Sequence, residues 1–410
     1  MDLKLSNTLG NKKEPFVPLE DGVVRMYHCG PTVKEHINID KFRSFFLADV
    51  LRRTVEYSGL EVVQVMNITD VGHLNEFEED AIEIAAGRCG KQPVELAEEE
   101  EAEFHRHRQA LGILDAHHYP RARENIAEMV EFIEGLLEAG VAYRAGENVY
   151  FDVAGFGDFG KLSNKSLDDL TALHKTLRAK PHPEKRHPLD IDLWRTDALR
   201  TMHWPSPWGR GFPGWHLECV VMGRKFLGST FDIHTGSQEI IYPHHECEIA
   251  QAEACGTPLA RFWLHSGHTL VGGKPTSRTN RNLLTVQGLL DSGVNGIDIR
   301  GALLSEHYRE PIDFTPELLD RTGQQRSVVQ AAADKLAAVI PVSTPNAADQ
   351  SLLEESQEAF RAAIYDDLDY PSALRIAIGL AEKVNNEEVC VSASLRDTLK
   401  GFDSVLGLVE

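Results

Sequence analysis

Four side chains, spread between positions 29 and 248, are of the types that bind a zinc ion. Cys29 lies in the stretch YHCGPT, Cys219 closes the stretch PGWHLEC, and His244 and Glu248 belong to the stretch PHHECEIAQ. Two thiolates, one imidazole and one carboxylate make a plausible tetrahedral set for Zn²⁺, whereas the plainer alternative is two buried core cysteines and a surface acid. No spacing rule pairs residues this far apart, so only the elements that carry them can bring them together.

The chain around Cys29 follows a β-α-β pattern. We predict a strand over residues 23–27, a helix over 42–59 with apolar positions at helical spacing, and a second strand over 61–66. Such a unit implies a parallel sheet whose ligand site lies at the carboxyl ends of its strands. Cys29 follows the first strand and residues 67–70 follow the second, so both are expected at that edge.

The rest of the chain divides into an insertion and a helical region. Further helices and strands are predicted over residues 80–115, 122–140, 141–144 and 148–151. Residues 153–188 are rich in Gly, Lys, His and Pro and predict a loop. We therefore expect a sheet domain over residues 1–310, with an insertion at about 115–200 and a second half that resumes at Asp192. Residues 311–410 show only helical periodicity and predict a helical domain.

The composition excludes several classes of protein. With 42% hydrophobic and 26% charged residues over 410 positions, the chain has the composition of a globular protein with two or three domains. No apolar run approaches the roughly 20 residues that span a bilayer, and the N-terminus lacks an apolar signal core. We therefore expect a cytoplasmic protein without a membrane partner. Six cysteines are too few for a disulfide scaffold, and a net charge of −21 argues against a broad nucleic-acid footprint.

The three stretches YHCGPT, PGWHLEC and PHHECEIAQ, in this order along the chain, resemble the zinc-binding blocks of cysteinyl-tRNA synthetases. In that family the metal binds the thiol of cysteine and selects it over serine. The resemblance continues in the segments at residues 67–70, 185–188, 192–194, 204–209, 307–309 and 366–374. It implies an α/β fold of the class I synthetase type, with a Rossmann-like parallel sheet, an inserted subdomain and a C-terminal helical domain.

The resemblance also implies roles for individual residues. The ligands of Zn²⁺ are expected to be Cys29, Cys219, His244 and Glu248. Their neighbours His245 and Cys247 are expected to face away or to support the ligands. The amino-acid site is expected to contain Thr32, Asp70, Trp215 and His216. The side that binds ATP with Mg²⁺ is expected to contain Gly30, Asn38, His234 and Gly236, with Lys41, Lys274 and Arg278 as catalytic cations. Plainer explanations exist for several of these: a core tryptophan, turn-capping polar residues and solvated cations.

Two nucleotide-binding signatures of the family are altered. Where the family has a His-Ile-Gly-His motif at the start of a helix, the sequence has Asn38-Ile39-Asp40-Lys41. Asp40 brings a carboxylate near the expected phosphate or ribose, where it could cap the helix and compete for anion-binding amides. Lys41 could partly compensate as a point charge. The family's Lys-Met-Ser-Lys-Ser loop aligns with residues 275–279, in which proline replaces the first lysine, Arg278 keeps a cation and Lys274 lies one position early.

These observations support two functional hypotheses. The first is an ATP-using enzyme that captures cysteine or a close thiol amino acid at zinc, activates its carboxylate and passes it to an acceptor. The acceptor is a tRNA or a small amine, as in the related cysteine ligase of mycothiol synthesis. The acidic charge and a C-terminus that stops soon after the helical region favour the small acceptor. The second hypothesis is a divergent, truncated paralogue that binds an amino acid at zinc without adenylation, for other biosynthetic chemistry or as a non-catalytic partner.

Overall fold

The computed structural model describes residues 2–72, 74, 79–177, 183–276, 282–340 and 345–410. Its strands are β1 (Lys4–Asn7), β2 (Lys12–Pro15), β3 (Val23–His28), β4 (Glu61–Met66), β5 (Ala142–Ala145), β6 (Asn148–Phe151), β7 (Ile191–Thr196), β8 (Gly211–Pro213), β9 (Phe231–Ser237), β10 (Ala260–Ser266), β11 (Thr269–Val271), β12 (Lys274–Pro275) and β13 (Ile312–Asp313). Its helices are α1 (Ile39–Tyr57), α2 (Ala81–Cys89), α3 (Pro93–Ala110), α4 (Ile126–Glu138), α5 (Leu167–Leu177), α6 (Trp215–Leu227), α7 (Glu246–Ala254), α8 (Val286–Asp291), α9 (Gly296–Leu304), α10 (Pro316–Ala338), α11 (Ala347–Tyr365), α12 (Tyr370–Asn385) and α13 (Ala393–Leu406). Short 3₁₀ or π turns occupy Ala122–Glu124, Gln238–Ile240 and Ile241–His245.

A four-stranded parallel sheet with the order β10-β9-β3-β4 forms the centre of the fold. Its register sets His28 at the end of β3 beside Thr235 on β9 and Met66 on β4. The carboxyl ends of these strands therefore meet at one edge, which confirms the prediction from the β-α-β pattern. Cys29 is the residue that leaves β3 at this edge.

Helix α1 covers this sheet and begins at the same edge. Asn38 caps it, because its side-chain oxygen accepts a hydrogen bond of 3.0 Å from the backbone N–H of Lys41. The helix begins at Ile39, three residues before the predicted start. It presents Phe42 and Phe45 to the core, each at most 2% exposed. Burying a phenylalanine side chain stabilises the fold by roughly 1.5–3 kcal/mol, so this face holds the helix on the sheet.

A second sheet, antiparallel and with the order β5-β6-β7-β8, forms the insertion. The sequence predicted that the parallel domain resumes at Asp192, and this part of the prediction is wrong. Residue Trp194 of β7 pairs with Val149 on β6 and with Pro213 on β8. The alternating residues of β7 predict a strand, but they carry no information about which sheet that strand joins. The parallel sheet resumes only at β9.

Helices α10 to α13 follow the sheets and pack on one another and on α1 and α9. Arg300 on α9 is fully buried at this junction. Its guanidinium lies 2.8 Å from the Asp49 carboxylate on α1, and its Nε donates to the Leu406 carbonyl on α13 at 2.5 Å. Because α9 and α10 pack closely across residue 310, the predicted division into domains at that point stays a prediction.

Among the helices of the described segments, none combines the length and the hydropathy needed to cross a bilayer.

Candidate active site

The four residues predicted to bind metal converge at the carboxyl edge of the parallel sheet. Cys29 Sγ lies 3.7 Å from Cys219 Sγ and 3.5 Å from Glu248 Oε1. His244 Nε2 lies 3.5 Å from Cys219 Sγ and 3.0 Å from Glu248 Oε1. The bonds that zinc makes to sulfur, nitrogen and oxygen correspond to tetrahedral edges of about 3.3–3.8 Å. The separations among these donors are close to that range, so the residues fit a tetrahedral Zn²⁺ site.

Two glycines allow the backbone to bring these ligands together. A Cβ atom on Gly30 would lie 1.6 Å from the carbonyl oxygen of Asn67, and the Gly30 N–H donates to the Asn67 side chain at 2.9 Å. A Cβ atom on Gly214 would lie 1.8 Å from the carbonyl oxygen of Asp192. The first contact fixes the turn that holds Cys29, and the second seats the start of α6, which carries Cys219.

Burial and mutual charge set the protonation of the ligands in the metal-free protein. Burial, with the neighbouring Cys219 and Glu248, raises the pKa of the Cys29 thiol well above its usual value. Burial alone would also raise the pKa of Cys219, but the Cys29 hydrogen bond and the His244 imidazole lower it to about 6. Burial opposes the charged form of His244, yet Glu248 and Cys219 raise its pKa to about 10. Burial would raise the pKa of Glu248, but His234 and His244 lower it to about 2.

Further imidazoles surround the ligands. The Nδ1 atoms of His216 and His244 lie 2.8 Å apart, and the Trp215 ring lies 4.3 Å from the His244 ring. His234 Nε2 lies 2.9 Å from Glu248 Oε2. Such contacts orient metal ligands and fix their tautomers. His216 was predicted for the amino-acid site; its ring contacts the candidate metal ligand His244, and it does not line the cavity described below.

His245 was expected to face away from the metal or to play a supporting part, but the structure places its ring beside Cys29. Its Nε2 lies 3.3 Å from Cys29 Sγ, and its Nδ1 lies 2.8 Å from Nε2 of His265. Both His244 and His245 are at most 1% exposed. They lie between Tyr242, whose φ of −128° and ψ of 134° kink the chain, and the first residue of α7. The histidine doublet was the available signal, but the sequence did not show that both rings are buried.

A cavity of about 290 Å³ opens onto the ligands. Cys29, Cys219 and His244 form part of its wall. Other predicted site residues in the wall are Gly30, Thr32, Asn38, Lys41 and Trp215. Small-molecule sites usually measure about 300–1,000 Å³, so this cavity suits a ligand the size of an amino acid.

Several residues predicted for the site do not line this cavity. Asp70 is 1% exposed and accepts a hydrogen bond of 2.9 Å from the Arg123 N–H, with its other oxygen 3.3 Å from Arg123 Nε. Its carboxylate therefore anchors the segment before α4. Lys274 lies on the exposed strand β12, which pairs with β11. Arg278 lies outside the described residues.

The two residues predicted for the nucleotide side on β9 are also absent from the cavity wall. His234 is fully buried, and its ring stacks on Trp263 at 4.5 Å while its Nε2 faces Glu248. Gly236 packs against His245, since a Cβ atom there would lie 2.7 Å from Cε1 of that ring. Both residues support the metal side of the site, because His234 contacts Glu248 and Gly236 packs against His245.

The start of α1 differs from the prediction that Asp40 caps the helix. Asn38 is the cap, while Asp40 is 4% exposed and accepts a hydrogen bond of 2.9 Å from the Thr269 N–H on β11. The Ile39 N–H donates to the Leu284 carbonyl at 2.8 Å. Lys41 lies in the cavity wall, and its Nζ pairs with Glu239 Oε2 at 2.9 Å. At the start of α1, the backbone amides of Ile39 and Lys41 and the Lys41 ammonium are therefore already bonded to groups of the protein itself.

Comparison with known proteins agrees with this arrangement. A family model described as the class I (C) catalytic domain of tRNA synthetases matches residues 15–324. The cysteine–tRNA ligase of Heliobacterium modesticaldum is 39% identical over 94% of this chain and 80% of the relative. That of Caldicellulosiruptor saccharolyticus is 37% identical over 100% of this chain and 87% of the relative. The solved Mycobacterium tuberculosis methionyl-tRNA synthetase in complex with methionyl-adenylate shares the fold, with a TM-score of 0.63 at 14% identity over 94% of this chain and 90% of that one. The chain therefore belongs to the class I tRNA synthetases, a family of ligases, in the branch that contains the cysteine–tRNA ligases.

Proposed function

We propose that the protein binds cysteine or a close thiol amino acid through Zn²⁺ and activates the carboxylate of that amino acid with ATP. The observation that carries the proposal is that three of the four ligands, Cys29, Cys219 and His244, form the wall of an amino-acid-sized cavity. With two thiolates and a carboxylate around it, bound Zn²⁺ has reduced Lewis acidity and is better suited to hold a substrate thiolate than to make hydroxide.

The chain's own residues orient the amino acid around this anchor. Trp215 on α6 and Thr32 in the turn after β3 line the same cavity and bound the space open to the amino acid. Lys41 supplies a cation in the cavity wall, where it would face the carboxylate and the phosphates of ATP with Mg²⁺. Lys274 on β12 and Arg278, which lies outside the described residues, stay proposed contributors of positive charge.

The proposed reaction is attack of the amino-acid carboxylate on the α-phosphate of ATP, with release of pyrophosphate, followed by acyl transfer from the adenylate. The acceptor proposed first is a tRNA, since the relatives from Heliobacterium modesticaldum and Caldicellulosiruptor saccharolyticus are cysteine–tRNA ligases. A small amine is the alternative acceptor, which the net charge of −21 favours because a polyanion would be repelled. Acylation assays with tRNA and with small amines, each across a range of salt, distinguish the two.

A second candidate function is amino-acid binding at zinc without adenylation. It is favoured by the start of α1, where phosphates would need free backbone amides. The Ile39 and Lys41 amides are already bonded to Leu284 and Asn38, and the Lys41 ammonium is paired with Glu239. These groups would have to release their partners before they could bind an anion.

Pyrophosphate exchange into ATP that depends on cysteine tests the first function, with serine as the matched control amino acid. We expect exchange with cysteine, little with serine, and a zinc content near one ion per chain. Calorimetric titration with cysteine and with ATP then separates the candidates. Cysteine binding without ATP binding or exchange would establish the second function, and absence of cysteine binding to zinc-loaded protein would contradict both.

A further inference from the structure

Two overlapping groups of metal-binding side chains occupy the core of the site. The outer set is Cys29, Cys219, His244 and Glu248. The inner set is Cys29, His234, His245 and Glu248. In each set the ligand atoms lie within 4.8 Å of one another, and His234 and His245 are fully buried. One ion needs only four of these six donors.

The two sets face different surroundings. Cys29, Cys219 and His244 of the outer set border the cavity, whereas His234, His245 and Glu248 do not. An ion in the outer set is therefore within reach of a ligand in the cavity, and an ion in the inner set is shielded from it. Because the sets share Cys29 and Glu248, an ion that moves from one set to the other keeps two of its four ligands.

We propose that the inner set is a second position for the divalent ion, reached when Cys219 and His244 are exchanged for His234 and His245. This proposal rests on the outer set of the proposed function and adds a closed position in which bound metal cannot contact the substrate. Charge favours the exchange, since Zn²⁺ with two anionic and two neutral ligands is neutral, whereas the outer set leaves a net negative charge in a buried place.

The hydrogen bonds around His245 allow it to act as a ligand. Its Nδ1 lies 2.8 Å from His265 Nε2, and His265 Nδ1 lies 2.7 Å from the Thr8 hydroxyl. A hydroxyl can donate or accept, so this chain of groups supports either tautomer of His245. When the Thr8 hydroxyl accepts from His265, that ring accepts from His245 Nδ1–H, and the His245 Nε2 lone pair faces Cys29, 3.3 Å away.

His234 makes the inner position the weaker one. Its Nε2 lies 2.9 Å from the Glu248 carboxylate, which can only accept, so the neutral ring carries its proton on Nε2. Ligation through Nε2 moves that proton to Nδ1, which is buried and has no partner among the described residues. An unpaired buried N–H lowers the affinity by roughly tenfold or more, so the inner set fills only when the outer ligands are lost or withdrawn.

Cobalt substitution tests this proposal, because Co²⁺ reports the number of thiolate ligands by its charge-transfer absorption. The test variant is Cys219→Ser with His244→Ala in the full chain, stripped with chelator and titrated with Co²⁺. We expect one Co²⁺ per chain, bound at least tenfold more weakly than in the parent, with about half the thiolate absorption. Added cysteine should leave its spectrum unchanged. The matched variant His234→Gln with His245→Gln should keep the absorption of two thiolates, because Cys29 and Cys219 remain. Its affinity for Co²⁺ should be lower than that of the parent, because His234 no longer contacts Glu248.

Adding His245→Gln to the test variant should abolish the remaining Co²⁺ binding. The proposal is overturned if the test variant, shown by circular dichroism to be folded, binds no Co²⁺, or if its Co²⁺ persists when His245 and His234 are both changed. Failure of the proposed function looks different: the parent protein would then bind Co²⁺ without any response of the spectrum to cysteine.

Discussion

His244 Nε2 lies 3.0 Å from Glu248 Oε1, a contact that joins the π turn to the first turn of α7 and is almost fully buried. In the metal-free protein it brings an imidazolium to a carboxylate, because the pKa of His244 is raised to about 10 and that of Glu248 is lowered to about 2. An arriving Zn²⁺ must take the place of the proton that His244 carries.

Zinc binding at pH 7 should therefore release about two protons per chain. One comes from His244, and the other comes from Cys29, whose pKa is raised well above its usual value by burial. Cys219, with a pKa of about 6, and Glu248 are already mostly deprotonated. Calorimetric titration of Zn²⁺ into chelator-treated protein, in buffers with different ionisation enthalpies, measures the number. Release of no proton would contradict this assignment.

Glu248 should make the metal-free protein sensitive to acid. Its folded pKa of about 2 is below its usual 4.5, so its contribution to stability is fully present above pH 4.5 and is lost as pH falls toward 2. A shift of this size corresponds to about 3 kcal/mol at most. The difference in the free energy of unfolding between the parent and Glu248→Gln, measured by urea unfolding with chelator present, should shrink from pH 5 to pH 3. A difference that stays constant over that interval would refute the prediction.

Cys29→Ser should remove both the metal and the binding of cysteine, since Cys29 Sγ borders the cavity and belongs to every metal set among the described residues. We expect the zinc content to fall from near one ion per chain to near zero. Cys89→Ser is the matched control, because Cys89 is an exposed free cysteine at the end of α2. Metal analysis and calorimetry measure the two effects. Unchanged zinc in the Cys29 variant would rule out the ligand assignment.

More of the fold than of the candidate site could be predicted from the sequence. The strands β3 and β4, which end just before Cys29 and just before residues 67–70, were recognisable from apolar runs. Their parallel pairing follows from the helix between them. The sheet that β7 joins was not predictable, since a strand's own residues do not name its partners. The structure places β7 between β6 and β8.

Within the site, the family resemblance named four candidate ligands that the structure brings together, but it could not give the direction of each side chain. Asp40 is an example: the sequence placed a carboxylate at the start of α1, and the structure turns it away from the cavity toward Thr269. His234 and Gly236 do not reach the cavity wall, because His234 faces Glu248 and Gly236 packs against His245. Such outcomes depend on tertiary contacts, which the sequence around each residue does not specify.

Asp40 should matter for stability through its hydrogen bond to Thr269. Asp40→Ala leaves a buried N–H without a partner and should cost about 1–3 kcal/mol in the free energy of unfolding. Asp40→Asn keeps an acceptor oxygen and should cost less. Urea unfolding of the two variants checks the ranking. Equal losses would mean that the carboxylate charge, and not the hydrogen bond, holds β11 against α1.

Gly30→Ala should be the most damaging single methyl group in the site. Its Cβ atom would lie 1.6 Å from the Asn67 carbonyl oxygen, so either β3 or the segment after β4 must move, and the Cys29 thiol moves with it. We expect loss of zinc binding together with a large fall in thermal stability or in soluble yield. Gly379→Ala is the matched control, because a Cβ atom there meets nothing within 4 Å and alanine is the better helix former by about 1 kcal/mol. If Gly30→Ala kept the parent zinc content and melting temperature, the backbone contact that positions Cys29 would not exist in the protein.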